Sequence, residues 1–325
     1  MIDLTPIDNA RIGILGDFAL DIYWYADMTK SELSRETPHY PLPVVEERIY
    51  PGAAGNVAAN VCALKPARCA VCGVAGDDWR GGLLRSALER LGADCAGLII
   101  EPGRTTNAYC KPMRMGLSDV VYEDPRIDFS GTSPITAETE AAILAWLDAR
   151  EGELDMLCVC DQFGFGAITE AVIERLANYA VPVIVDSRNR CHHYRNVTIK
   201  PNEHECARAL EALGLTPSAD DGANAASLEK ASGSRVLLTL GERGSLYDGR
   251  IVPAVKYDGP VDICGAGDSF LSAFACCTAA GLSAADAQQI ATCASGVTVR
   301  KLGVTGTASR EEIGGVYGKY SRPRS

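Results

Sequence analysis

A chain of 325 residues holds one large domain or two ordinary ones, and 47% apolar with 22% charged residues marks a globular protein. The formal charge of −11 excludes a nucleic-acid surface of clustered Lys and Arg, while leaving room for one basic pocket that grips a phosphorylated small molecule. No apolar run is long enough to span a bilayer and Met1 to Arg11 carry no signal-like segment, so a cytoplasmic protein without membrane or nucleic-acid partner is expected.

Taken in chain order, Arg11–Leu15 reads as a buried strand that ends in Gly16-Asp17. Asp21–Tyr50 is rich in aromatics and Pro and breaks the rhythm that follows. Asn56–Leu64 reads as a helix, Cys69–Val74 as a strand, and Trp79–Leu91 as a helix. Thr105–Glu123 alternates polar and apolar residues like antiparallel strands. Strands are then expected at Met156–Cys160, Val181–Val185, Val197–Ile199 and Val236–Leu240, with helices at Thr136–Arg150, Ala167–Tyr179, Glu203–Leu213 and Ser269–Ala280. Thr216–Ser227, rich in Ala, Asp and Gly, reads as an exposed loop. Alternating apolar strands and amphipathic helices predict an α/β fold with a mostly parallel sheet covered on both faces. Ligands bind such sheets beyond the carboxyl ends of the strands, where the Gly-Asp pairs fall. The thirteen cysteines, odd in number and mostly in apolar surroundings, read as reduced core thiols.

The sharpest motif is Asp262-Ile-Cys-Gly-Ala-Gly-Asp268, which leads into a helix. A small-residue loop there lets backbone N–H groups and the helix dipole converge on an anion, and Asp268 in the first turn can take a proton from a nearby hydroxyl. Tight packing and helix capping would ask for the same residues. Gly52-Ala-Ala-Gly-Asn56 opens another helix and offers close backbone approach plus an amide for hydroxyls. Asp17 and Asp21 follow the first strand as paired acceptors, although Asp17 also suits a strand-end turn. Asn202 and Glu205, three apart at a helix start, fit either a hydrated Mg2+ or a capping box. Thr239-Leu-Gly241-Glu-Arg-Gly244 would let a nucleotide lie against backbone.

In this order the five motifs resemble the ribokinase-like (PfkB) carbohydrate kinases over nearly the whole chain. The stretch Gly16-Asp17 to Tyr25, with Pro41–Val45, is similar to the heptose-phosphate kinase domain of ADP-heptose synthases, without the nucleotidyltransferase half of bifunctional members. The resemblance implies one three-layer α/β/α domain over 1–325, with a small β-lid from segments about 21–50 and 105–123 through which a homodimer forms. It implies an ATP-dependent kinase for a sugar or sugar phosphate. Asp268 would be the base and the N–H groups of Gly265, Ala266 and Gly267 the anion hole. Asp17, Asp21, Gly52 and Asn56 would face the sugar, and Thr239, Gly241 and Gly244 would line the nucleotide. Asn202 and Glu205 would act on Mg2+ through water, and a monovalent cation such as K+ would bind at Asp262 with carbonyls from Lys301 to Thr307. Three positions depart from the pattern: Ile263 replaces Thr, Ser or Val, Gly52-Ala53 replaces a Gly-Gly pair, and Ile22 replaces the Arg of heptose-phosphate kinases. Tyr23, Trp24 and Tyr25 read as lid packing, Arg188 or Arg190 as a phosphate contact or solvated loop, and His192 and His193 carry no role. A binding protein that kept the fold is the rival from another class; a dinucleotide oxidoreductase would need a GxGxxG that is absent after the first strand.

Overall fold

The computed structural model describes residues 2–320. In chain order its strands are β1 (Arg11–Gly16), β2 (Phe18–Asp27), β3 (Val44–Ala53), β4 (Arg68–Gly76), β5 (Asp94–Glu101), β6 (Ala108–Met115), β7 (Tyr122–Glu123), β8 (Ile127–Phe129), β9 (Met156–Asp161), β10 (Val183–Ser187), β11 (Thr198–Ile199), β12 (Arg235–Val236), β13 (Leu238–Thr239), β14 (Ser245–Tyr247) and β15 (Arg250–Val252). The helices are α1 (Ala54–Ala63), α2 (Trp79–Arg90), α3 (Ala137–Arg150), α4 (Glu170–Leu176), α5 (Glu203–Ala212), α6 (Asp221–Ser232), α7 (Ala266–Ala279), α8 (Ala284–Thr298) and α9 (Arg310–Tyr320).

Strands with no polar face need cover on both sides, and β1 and β9 are buried along almost their whole length. They lie in a seven-stranded sheet, β12-β11-β10-β9-β1-β4-β5, in which every pair is parallel. Alternate residues point into different cores. Ile12, Ile14, Met156 and Cys158 join the side chains of α1, α7 and α8 in one cluster. Leu15, Leu157 and Val159 join those of α3, α4, α5 and α6 in the other. The result is the expected three-layer α/β/α arrangement. All thirteen cysteines are free thiols, eleven of them buried, and burial pushes Cys158 up to about 12.

The second sheet is the lid, β3-β2-β6-β7 with β8 on the flank of β6. It begins at Phe18 rather than Asp21; within 105–123 the strands β6 and β7 pair antiparallel as expected, while β6 joins β2 in parallel. Its inner strand β2 is buried, while its flanks expose Val44, Val45, Tyr122 and Ile127.

Two other expectations are corrected. The segment 216–227 is not one loop, because α6 starts at Asp221. Asp220 caps it by accepting from Gly222 and Ala223 N–H at 2.8 and 3.2 Å, and Gly233 closes it in the left-handed conformation at φ +68°. The apolar run 236–240 is split between the parallel sheet and a small antiparallel sheet, β13-β14-β15.

Candidate active site

The carboxyl ends of β9, β10 and β11 and the first turn of α7 enclose a cavity of about 270 Å3. Cys160, Asp186, Lys200, Asn202, Glu205, Thr239, Gly267 and Asp268 all line it. Gly265 sets the entry to α7: its φ of +75° is left-handed, and a Cβ there would lie 2.8 Å from Thr305 Cγ2. Among the described residues the N–H groups of Gly265, Gly267 and Asp268 meet no acceptor, whereas Ala266 donates to the Ile263 carbonyl at 3.2 Å. The free donors therefore belong to Gly265, Gly267 and Asp268, not to Ala266. Below them α7 is pinned by Ser269, whose hydroxyl reaches Asn60 Oδ1 at 2.7 Å and Thr298 Oγ1 at 2.6 Å.

Asp268 sits in an environment that favours its neutral form. Burial, then the charge of Asp186, push its carboxyl up to about 7, against the opposing pull of Lys200 and a hydrogen bond from Asn56. Lys200 is itself buried, 5% exposed, with Nζ 3.0 Å from Asp186 Oδ2. Burial works against its charge, yet Asp186 holds the ammonium above the usual lysine value. The same Nζ lies 3.7 Å from where a Cβ on Gly267 would stand, so a fixed cation faces the open end of α7. Reading the sequence motif by motif gave neither Lys200 nor Asp186 a role, although both follow strands of the parallel sheet.

Asn202 and Glu205 form a full capping box: Asn202 Oδ1 accepts from Glu205 N at 2.8 Å and Glu205 Oε2 from Asn202 N at 2.9 Å. One oxygen of Glu205 and the amide of Asn202 remain for a ligand. Burial pushes Glu205 up, offset in part by the Asn202 N–H. A parallel bridge ties Asn202 to Thr239, which aligns the two loops. Gly241 and Gly244 flank the turn after β13, at φ +55° and +103°, beyond the cavity wall. A Cβ on Gly244 would lie 2.0 Å from the Val252 carbonyl, so that glycine serves a close backbone approach. Among the described residues no group of three or more His, Cys, Asp or Glu is arranged to hold a metal. Glu205 and Asp186 in one cavity nevertheless fit Mg2+ held through water and phosphate.

On the lid side, Asn56 bonds Asp268, and Asp21 is close enough to raise its carboxyl further. Asp21 lies 3.3 Å from Lys111 Nζ, and burial raises its carboxyl against the pull of Lys111 and Arg126. Gly52 makes room for it, since a Cβ would stand 2.6 Å from Asp21 Oδ2. Lys111 also donates to the Tyr23 hydroxyl at 2.8 Å. Arg126 lies 4.3 Å from the centre of the Tyr109 ring, and that phenol also feels Arg188. Lys111, Arg126 and Arg188 thus bring three cations around Asp21 and Tyr109.

Several expected site residues have other work. Asp17 is 2% exposed, and its two oxygens accept the N–H groups of Gln162, Phe163 and Ala167, each at 2.7 Å. It does not line the cavity, and its geometry is that of an anchor for the loop after β9. Burial pushes it up to about 6 despite those bonds. Asp262 accepts from Cys264 N at 2.9 Å and Gly303 N at 3.0 Å; burial opposes its charge, but these bonds hold it below the usual carboxylate range. The Thr307 carbonyl accepts from Lys301 Nζ at 2.6 Å. These bonds fix the loop at Asp262 against the segment 301–307. Arg190 is bound to Asp161 and to the Ile168 carbonyl, so only Arg188 remains as a phosphate contact. Ile22 is fully buried in the lid, Trp24 bonds Glu47, and Tyr25 lies under Arg48, which makes this stretch lid packing. His192 and His193 meet edge to edge away from the cavity lining.

A family model described as pfkB family carbohydrate kinase matches residues 43–311. The bifunctional protein HldE of Citrifermentans bemidjiense is 34% identical over 316 residues, covering 94% of this chain and 63% of that protein. HldE of Azorhizobium caulinodans is 34% identical over 327 residues, covering 95% and 65%. The chain therefore spans just under two thirds of these relatives. Escherichia coli phosphofructokinase-2 in complex with fructose-6-phosphate matches with a TM-score of 0.75 at 17% identity, covering 96% of this chain and 100% of that one. Arabidopsis thaliana ribokinase complexed with ribose and ATP matches at 0.69 and 19%, covering 95% and 99%. The family match over most of the chain, with relatives 34% identical across it, leads to one assignment: the chain belongs to the pfkB family of carbohydrate kinases.

Proposed function

We propose that the chain transfers the γ-phosphoryl group of ATP to a hydroxyl of a phosphorylated sugar, with Asp268 taking the hydroxyl proton. The observation that carries this reading is a carboxyl raised to about 7 at the mouth of an unpaired helix N-terminus, beside a buried lysine. A base of that strength is half ionised near neutral pH and strong enough to accept the proton as the bond to phosphorus forms. Lys200 and the free N–H groups of Gly265, Gly267 and Asp268 offset charge on the transferred group. Mg2+ bound with the nucleotide supplies further positive charge to the phosphates, and Asn202 and Glu205 would hold its waters. Thr239, Gly241 and Gly244 lie where the nucleotide would extend. Asn56 and Asp21 orient the sugar, and Asp17 shapes the loop beneath it.

A phosphate already on the acceptor is supported by Lys111, Arg126 and Arg188, three cations gathered around Asp21 and Tyr109 against Asp21 and the Asp128 that pairs with Arg126 at 2.6 Å. Similarity to HldE proteins supports a heptose phosphate among the candidates, while Ile22, where heptose-phosphate kinases carry Arg, counts against it. The exposed apolar flanks of the lid support a homodimer that covers them.

The test is ADP release with ATP and Mg2+ across heptose 7-phosphate, fructose 6-phosphate and ribose, with Asp268→Asn as control. Turnover on a phosphorylated sugar that falls at least about a hundredfold in the variant is expected, the low end of general-base effects. Near-normal turnover by Asp268→Asn would sink the assignment of the base.

A further inference from the structure

A cavity of about 990 Å3 lies away from the catalytic cleft, between residues 253–257, the carboxyl end of α8 and α9. In a chain of net charge −11, its charged lining is Lys256, Arg300, Lys301 and Lys319 against Glu312 alone. Lys301 is committed, at 2.7 Å from Glu312 and 2.6 Å from the Thr307 carbonyl. Among the described residues Lys256, Arg300 and Lys319 form no ion pair. The Tyr257 hydroxyl in the same wall is buried without a hydrogen-bond partner. Arg300, whose guanidinium lies 4.9 Å from the Tyr257 ring centre, has only donors to offer, so the phenol proton lacks an acceptor. A buried donor left unmade costs about 1–3 kcal/mol, and clustered cations repel one another, unless an anion meets both. Val255, Val297 and Val316 supply apolar wall for a carbon skeleton.

We propose that this cavity is a binding site for a phosphate-bearing organic molecule, distinct from the catalytic cleft. Phosphate oxygens accept from Tyr257, Arg300 and Lys256, while the apolar wall takes the organic part and excludes water around the charges. The site borders the nucleotide side of the protein without sharing its residues. Val255 packs on Gly296, at 2.9 Å from a Cβ position there, and the backbone of 252–254 lies directly against Gly244.

The experiment is isothermal titration of the full chain with AMP, fructose 6-phosphate and inorganic phosphate, repeated for Lys256→Ala/Arg300→Ala, Tyr257→Phe and Asp268→Asn. At least one organic phosphate is expected to fill a site that weakens tenfold or more in the double variant and severalfold in Tyr257→Phe. The same site should be intact in Asp268→Asn, which separates this proposal from the fate of the kinase mechanism. The double variant should keep the wild-type melting temperature and KM for ATP, since neither side chain lies in the catalytic cavity. AMP binding more tightly assigns a nucleotide, and fructose 6-phosphate binding more tightly assigns a sugar phosphate. Isotherms that do not change between wild type and the double variant overturn the proposal. Inorganic phosphate binding as tightly as both organic ligands overturns the organic part of it.

Discussion

The parallel sheet carries Asp268, Lys200 and Asp186 on strand and helix ends whose supports are covered on both faces, whereas the lid carries Asp21, Lys111 and Arg126 on a sheet with one buried strand and exposed flanks. Groups on the first are fixed by packing before any ligand arrives. Groups on the second face a surface that a second subunit or a closing motion can rearrange. Under the proposed function the difference separates tasks: the sheet and α7 would set the chemistry, and the lid would set which acceptor is held against it.

If that division is right, the two regions should fail in different kinetic terms. The largest loss is expected for Asp268→Asn, in kcat, by about 10²–10⁴-fold. Wild-type kcat/KM should fall about tenfold for each pH unit below 7, because the raised Asp268 must be ionised to act. Lys200→Met should lower kcat by about a hundredfold, as for loss of one preorganised donor. It should also move the acidic limb to higher pH, since it removes the cation that favours ionised Asp268. Asp186→Asn should move the same limb to lower pH, with a smaller loss of rate. Profiles that do not move in opposite directions would mean that these two groups do not set the base.

The lid should act on binding. Arg126→Ala is expected to raise KM for a phosphorylated sugar about tenfold with kcat nearly unchanged, the loss of one charge-assisted contact, and to leave KM for ribose where it was. A fall in kcat instead would place Arg126 with the catalytic groups. Val45→Asp, on the exposed flank of the lid, should shift the sedimentation mass from dimer towards monomer. A wild-type chain already monomeric at micromolar concentration would remove the lid interface.

Much of the sheet was legible because strands buried on both faces are written as apolar runs, and the helices between them carry local caps such as Asp78 and Thr136. Asp268, Asn202 and Glu205 were legible for the same reason, since each belongs to a short motif at a helix start. What escaped depends on distance in sequence. Asp17 looks like a free acceptor until the loop 162–167, some 145 positions away, closes on it. Lys200 and Asp186 become a pair only when β10 and β11 lie side by side. α6 was hidden by a composition without apolar periodicity, its boundaries being set by Asp220 and Gly233 rather than by a stripe. The parallel pairing of β2 with β6 cannot be read from alternation, which is common to both strand directions.

The smallest effect tests the seam between the two regions. Ala53 ends β3 of the lid and caps α1, which packs on the parallel sheet, at φ +51° and ψ −123°, a conformation that glycine adopts freely and alanine does not. The backbone on either side is held: Ala53 pairs with Phe18 across the lid, and Ala54 N–H bonds the Asp17 carbonyl at 2.9 Å. Strain of this kind costs about 1–3 kcal/mol. Glycine would relieve it while adding about 0.4–1 kcal/mol of disorder to the unfolded chain. The balance predicts that Ala53→Gly raises the unfolding free energy by about 1 kcal/mol, read as a higher denaturant midpoint with the slope unchanged. Because Ala53 also lines the cavity beside Asp268, the same variant tests its methyl for a second duty: stability should rise while kcat holds if the side chain only strains the seam. A gain in stability with a loss of kcat would instead mean that the strained seam holds the lid at the distance the transfer requires.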